Sequence, residues 1–127
     1  MPYHLPMTVS LPPEMPAIAL VTTTVATADD ARRLAQAVLE QRLAACVQVQ
    51  AMASHYRWQG ALHEEAEWRL ECKTTPQAVA ALLALLQFQH PYELPELVVQ
   101  PLQASQAYAQ WVAQEVAQEA APQAAPG

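Results

Sequence analysis

Two long runs of alternating polarity, joined by a two-residue turn, constrain the fold of this chain more than any other feature. Residues 47–58 and 62–73 each alternate apolar and polar side chains, and Gln59-Gly60 lies between them. Alternation with a period of two is typical of a β-strand with one buried face. A short loop containing glycine between two such runs predicts a β-hairpin.

The register that follows from a Gln59-Gly60 loop agrees with the polarity of the side chains. One set of cross-strand neighbours is largely apolar: Val47, Val49, Ala51 and Ala53 oppose Cys72, Leu70, Trp68 and Ala66. The intervening set is polar: Gln48, Gln50 and Met52 oppose Glu71, Arg69 and Glu67. Both strands exceed the usual length of about five or six residues. We therefore expect the hairpin to project beyond the helices that cover it, leaving long edges that self-association would pair.

Helices and two further strands flank the hairpin. The apolar run 17–21 predicts a strand buried on both faces, and the run 97–99 predicts another. Capping and proline signals mark three helix starts: Thr27 with Asp30, Thr75 with Pro76, and Ser105. The order β-α-β-β-α-β with a C-terminal helix predicts an α+β fold, a ferredoxin-like sandwich with two helices on one face of an antiparallel sheet.

Composition limits the domain organisation and the partners. Residues 1–16 are rich in proline and residues 119–127 are mostly alanine, proline and glutamine, so we expect two disordered tails around one domain at 17–118. A net charge of −6 argues against nucleic-acid or anionic-membrane partners. The sequence has no membrane-spanning run and no secretory-signal pattern, and its two cysteines lie inside predicted strands, so we expect a cytoplasmic protein with reduced thiols.

Four separated motifs carry a family resemblance. They occur in order along the chain: Arg42-Leu43-Ala44-Ala45-Cys46-Val47, Tyr56-Arg57-Trp58-Gln59-Gly60, Glu71-Cys72-Lys73-Thr74-Thr75, and His90-Pro91-Tyr92-Glu93-Leu94-Pro95-Glu96-Leu97. Together they resemble the CutA divalent-cation tolerance family. The resemblance implies a homotrimer of ferredoxin-like subunits whose long strands pair across the interfaces, as in PII-type signalling proteins. It also implies a role in tolerance of copper and other divalent ions.

The segment 90–97 is the first candidate for a metal site. Its two prolines stiffen the backbone around His90, Glu93 and Glu96. Imidazole and carboxylate groups are suitable ligands for zinc, copper and nickel. The alternative is that the prolines only end a helix and that Tyr92 fills a gap in the packing.

One family feature is missing. Some family members carry a copper-linked cysteine late in the first strand, and Thr23 occupies the aligned position here. A hydroxyl is a poor ligand for copper compared with a thiolate, so a copper site built on that thiol does not carry over. His90, in contrast, matches the histidine that precedes Pro-Tyr in the family.

The hairpin offers a second candidate metal site. The register places His55 opposite Glu64 and Tyr56 opposite His63, at contact distance. Charged residues near a hairpin tip are also typical of an exposed edge that discourages aggregation, which is the structural alternative.

Five further residues are candidates for lining a ligand cleft between subunits: Tyr92, Lys73, Tyr56, Trp58 and Cys46. Each has a structural alternative. The aromatic residues are equally suited to subunit contacts, Cys46 to a buried structural thiol, and Lys73 either to an anion at the start of the second helix or to an ion pair with a glutamate.

Together with these features, the resemblance implies a non-enzymatic homotrimer that binds a divalent ion or a small ligand between subunits. Cu²⁺ and Zn²⁺ are the candidate ions, and no tightly bound cofactor is expected. The alternative is a PII-like signalling or structural trimer that binds a protein or small molecule and affects metal tolerance indirectly. The sequence shows no paired nucleophile and base, no glycine-rich phosphate loop and no zinc-hydrolase motif, so an enzyme is not expected.

Overall fold

The computed structural model describes residues 15–117, so the expected tail at 119–127 and all but the last two residues of the expected tail at 1–16 lie outside the described residues. The elements follow the predicted order: β1 Ala17–Val25, α1 Ala28–Glu40, β2 Cys46–Trp58, β3 Ala61–Thr74, a short 3-10 helix Pro76–Ala78, α2 Val79–Gln89, β4 Val98–Gln103 and α3 Gln106–Glu115. This α+β arrangement confirms the predicted fold class.

The four strands form one antiparallel sheet in the order β2-β3-β1-β4. The helices α1 and α2 pack on one face of this sheet, where Val21, Leu34, Leu70 and Leu86 are fully buried. Strand β1 lies in the middle, and every residue after Ala17 is buried. The strand continues four residues beyond the predicted run, through three buried threonines to Val25.

The hairpin has the predicted register at every pair from Cys46 opposite Lys73 to Trp58 opposite Ala61. Gln59 and Gly60 adopt positive φ angles of 51° and 82°, as a two-residue type I′ turn requires. The apolar face is buried only near the helices. Leu70 is inaccessible to solvent, whereas Val49 opposite it is 43% exposed, so the distal hairpin projects beyond its cover.

The helix starts follow the sequence signals with one exception. The side chain of Thr27 accepts a hydrogen bond from the Asp30 N–H at 3.0 Å, which caps α1. Thr75 makes no such side-chain bond, and Pro76 begins a 3-10 helix that becomes α-helical only at Val79. The core face of α2 buries Leu82, Leu85 and Leu86.

The C-terminal helix α3 is fastened to the segment between α1 and β2. Arg42 adopts a positive φ of 56°, and its guanidinium donates to the carbonyls of Glu115 at 2.9 Å and Gln114 at 2.8 Å. The Ala117 N–H in turn donates to the Arg42 carbonyl at 2.8 Å. A second, smaller core forms where Val112 packs near Ile18.

Candidate functional site

The segment 90–97 is anchored to β1 through the His90 ring. Its Nε2 lies 2.9 Å from the Thr24 carbonyl oxygen and 3.0 Å from the Thr23 hydroxyl, and its Nδ1 accepts the Tyr92 N–H at 3.1 Å. A backbone N–H can only donate and a carbonyl can only accept, so Nδ1 carries the lone pair and Nε2 the proton. Burial lowers the pKa of His90, which agrees with a neutral ring.

This geometry limits how His90 can bind a metal. The Nδ1 lone pair is used by the Tyr92 N–H, and Nε2 is protonated towards Thr24. Ligation therefore requires one of these two hydrogen bonds to break. The structure does bring His90 into contact with the Thr23 hydroxyl.

Tyr92 connects the loop to the hairpin. Its hydroxyl donates to Glu67 Oε2 at 2.7 Å, and Glu67 is only 8% exposed. Burial and the Glu67 carboxylate together raise the pKa of Tyr92 strongly, so the phenol remains a donor. The tilted rings of His90 and Tyr92 are 4.9 Å apart, so one histidine supports both the backbone and the ring of this tyrosine.

Glu67 is a site residue that sequence reasoning did not select. The predicted register puts Glu67 on the polar face of the hairpin, and the structure confirms this position. The side chain is nevertheless buried there. Strand β1 ends at Val25, opposite Trp68, so β3 has no β1 neighbour from Glu67 outward. Tyr92 reaches Glu67 next to this gap. No local sequence pattern signals the contact, because the two residues are far apart along the chain.

A second cluster continues outward along the same face of the hairpin. The Tyr56 hydroxyl donates to Glu65 Oε1 at 2.9 Å, and its ring stacks on His63 with a centroid separation of 5.2 Å. His63 Nδ1 lies 3.9 Å from Glu65 Oε2. The hydrogen bond to Glu65 raises the pKa of Tyr56. Since alternate residues of a strand share a face, His63, Glu65 and Glu67 form one polar row beside the loop.

The remaining metal candidates do not join this row. His55 Nε2 lies 3.7 Å from Glu64 Oε2, as the register predicted, but alternation puts this pair on the opposite face. Glu96 accepts from the Thr24 hydroxyl at 3.4 Å, and Glu93 is exposed. Within residues 15–117, no group of three histidine, cysteine, aspartate or glutamate side chains could hold one metal ion.

The other cleft candidates occupy different places. Trp58 lies at the hairpin tip, half exposed, whereas Cys46 lies at the base of β2, opposite Lys73. The Lys73 ammonium lies 5.9 Å from the centre of the Tyr108 ring, a cation–π contact, and none of the ion pairs between residues 15 and 117 involves Lys73. Cys72 is fully buried, and burial raises the pKa of its thiol to about 12.

These groups form a hydrogen-bonded polar surface where the loop meets the exposed part of the hairpin. It presents two carboxylates, two phenols and one imidazole, a set suited to cations and to polar small molecules. None of the helices in the described part of the chain is long and apolar enough to cross a membrane. The fold and this surface together define a ferredoxin-like α+β protein with a polar surface beside its hairpin.

Comparison with known proteins identifies the family. The family model for the CutA1 divalent ion tolerance protein matches residues 19–115, and the chain belongs to this family. The divalent-cation tolerance protein CutA of Thermus thermophilus is 40% identical over 95 residues, which cover 73% of this chain and 92% of that protein.

Solved structures agree with this assignment. The structure of CutA from Synechococcus elongatus superimposes with a TM-score of 0.76 at 44% identity, covering 80% of this chain and 91% of that one. A second structure of that protein, in complex with a Bis-Tris molecule, has a TM-score of 0.73 at 42% identity and covers 79% of this chain and 94% of that one. These neighbours confirm the ferredoxin-like fold predicted from the sequence.

Proposed function

We propose that the chain forms a cytoplasmic homotrimer that binds a divalent ion, copper or zinc, in the clefts between subunits and catalyses no reaction. The family assignment supports the type of function, since the related proteins are named for divalent-cation tolerance. The long free strands support the assembly, because β2 and β4 are the outer strands of the sheet and Val49, Val98 and Val99 are each more than 40% exposed.

The hydrogen bond between Tyr92 and Glu67 is the observation that carries the proposal. It holds the loop against the hairpin and so fixes carboxylate, phenol and imidazole groups in one place. The ligand set is incomplete within one subunit over residues 15–117. A cleft between subunits supplies what is missing, because a second subunit can add donors to His63, Glu65 and Glu67.

His90 has a positioning role in this proposal. Both ring nitrogens hold the loop, so the ring orients Tyr92, while Glu96 accepts a hydrogen bond from the Thr24 hydroxyl. Loss of a group that orients the ligands weakens metal binding by about tenfold or more in known metal sites. The same loss of affinity is expected if His90 gives up one hydrogen bond and becomes a ligand itself.

The test is isothermal titration with Cu²⁺ and Zn²⁺ at physiological salt, together with light scattering to measure the mass of the assembly. We expect a trimer with a saturable site that His90→Ala and Glu65→Gln weaken by about tenfold or more. His55→Ala is the matched control, because His55 lies on the opposite face of the hairpin. Weak uptake that is equal in all four proteins and is abolished by salt would contradict metal binding at this site.

A PII-like role in binding a small molecule is the second candidate. It is favoured by the related CutA structure from Synechococcus elongatus that holds a Bis-Tris molecule. Bis-Tris is a hydroxylated amine, and two tyrosines beside two carboxylates suit such a ligand. Titration with Bis-Tris in a metal-free buffer tests this candidate. Saturable binding that Tyr92→Phe weakens would support it, whereas no detectable heat would count against it.

A further inference from the structure

One face of the sheet carries alternating charges without a helix above them. Leu70 and Cys72 point towards α1 and α2, so the neighbouring residues Glu67, Arg69, Glu71 and Lys73 occupy the other face. Helix α3 covers this face only at one end, where Val112 and Val116 pack around Ile18 and Leu102. Arg69 and Glu71 therefore have no helix above them and are partly exposed within a single chain.

Arg69 is incompletely paired on this face. Its Nη2 donates to Gln50 Oε1 at 3.3 Å, but its Nε is shielded from solvent and has no hydrogen-bond partner in the described residues. None of the ion pairs found between residues 15 and 117 involves Arg69. A shielded guanidinium N–H without an acceptor is unfavourable, so an acceptor from outside the subunit would stabilise it.

A shallow depression of about 330 Å³ lies beside Arg69, lined by Gln48, Val49, Gln50, Arg69 and Glu71. A guanidinium and a carboxylate thus border the same space. The group that complements Arg69 is a carboxylate, and the group that complements Glu71 is a guanidinium. A second copy of this chain presents both.

We propose that Arg69 of one copy pairs with Glu71 of the next copy across this face. In a closed ring each copy offers its Arg69 to one neighbour and its Glu71 to the other, so every copy makes both contacts. The inference rests on the homo-oligomer of the proposed function and names the charge pair that specifies its interface. It does not involve the loop or the outer part of the hairpin.

Charge reversal tests the pair. We expect Arg69→Glu and Glu71→Arg each to raise the dissociation constant of the assembly by about tenfold or more, measured by analytical ultracentrifugation over a protein dilution series. An equimolar mixture of the two variants should recover part of the lost affinity, because a mixed trimer restores opposite charges at two of its three interfaces. Arg32→Glu is the matched control, since it makes the same charge change on α1, in an exposed ion pair with Asp29.

The double variant Arg69→Gln/Glu71→Gln keeps the test decisive if a reversed charge prevents folding. Its assembly should be weaker than that of the wild type at low ionic strength and less sensitive to added salt. Single variants that assemble like the wild type, or a mixture that shows no recovery, would overturn the charge pair while leaving the trimer intact. A wild-type protein that is monomeric at all concentrations would instead contradict the proposed assembly itself.

Discussion

The Tyr92 hydroxyl donates a hydrogen bond of 2.7 Å to the carboxylate of Glu67, and this contact connects the proline-bounded loop to the projecting hairpin. The donor is placed by His90, which holds the Tyr92 N–H, and the acceptor lies one residue beyond the point where β1 stops pairing with β3. The end of one strand therefore makes room for the loop that follows α2. The polar surface of the subunit depends on this contact between the loop and the hairpin.

Replacing Tyr92 with phenylalanine should destabilise the protein by about 1–3 kcal/mol, because Glu67 would remain buried without its donor. The measurement is urea unfolding at a fixed protein concentration. Tyr56→Phe is the matched control, since it removes the similar bond to Glu65 at the exposed part of the hairpin. That control should cost less than about 0.5 kcal/mol. An equal loss of stability in both variants would show that the burial of Glu67 does not increase the cost of removing its hydrogen-bond donor.

Stability should fall as the pH drops below about 6.5, the ordinary pKa of histidine, because of His90. Burial lowers the pKa of His90 in the folded state, so the unfolded chain takes up the proton first and is favoured at acidic pH. The contribution of neutral His90 to the free energy of unfolding is fully present above pH 6.5. It is lost progressively as the pH falls towards the lower folded-state pKa of His90. Urea unfolding between pH 8 and pH 5 measures it, and His90→Gln should flatten the curve. A slope that persists unchanged in the variant would assign the effect to other groups.

Replacing Arg42 with alanine should destabilise the protein by about 1–3 kcal/mol, because two hydrogen bonds to the carbonyl end of α3 disappear. Arg42→Gly loses the same bonds but tolerates the positive φ, so it should be less destabilising than the alanine variant. Chemical unfolding gives both values, and hydrogen exchange in α3 shows where the change occurs. A glycine variant that is less stable than the alanine variant would contradict the role of the backbone conformation.

Only one of the two cysteines should react with a thiol reagent in the folded protein. Cys72 is fully buried and its thiol pKa is raised to about 12, so almost no thiolate forms at pH 8. Cys46 is partly exposed at the start of β2. Titration with an aromatic disulfide should therefore detect one thiol per native chain and two after denaturation, and Cys46→Ser should abolish the native reaction. Rapid reaction of the Cys46→Ser variant would show that the core around Cys72 opens readily.

The hairpin could be predicted in detail because its signals are local. Alternating polarity in residues 47–58 and 62–73 and a two-residue turn specify which side chains face each other, and the observed register agrees at each pair. The caps Thr27 and Ser105 are equally local, and each accepts the expected backbone hydrogen bond. Thr75 failed as a side-chain cap because Pro76 begins a 3-10 helix, a choice that the capping pattern does not distinguish.

The site was only partly predictable. The loop motif singled out His90 and Tyr92, and the hairpin register brought Tyr56 next to His63 as expected. The roles of the described residues depend on distant partners. The Thr24 carbonyl binds one ring nitrogen of His90, the Glu67 carboxylate accepts from the Tyr92 hydroxyl, and the Lys73 ammonium lies over the Tyr108 ring. Whether a metal ion binds there stays a prediction.

By itself, then, the sequence determined the elements of this protein, the hairpin register and the family, because periodicity, caps and turns act over a few neighbouring residues. The tertiary structure alone decided which polar groups are buried and what they contact. In the sequence, Glu67 and Thr24 are ordinary strand residues. They contact the loop because β1 stops pairing with β3 at Val25 and because His90, at the end of α2, lies beside the end of β1. Burial and hydrogen bonding at this distance along the chain depend on how the layers pack, which no local pattern records.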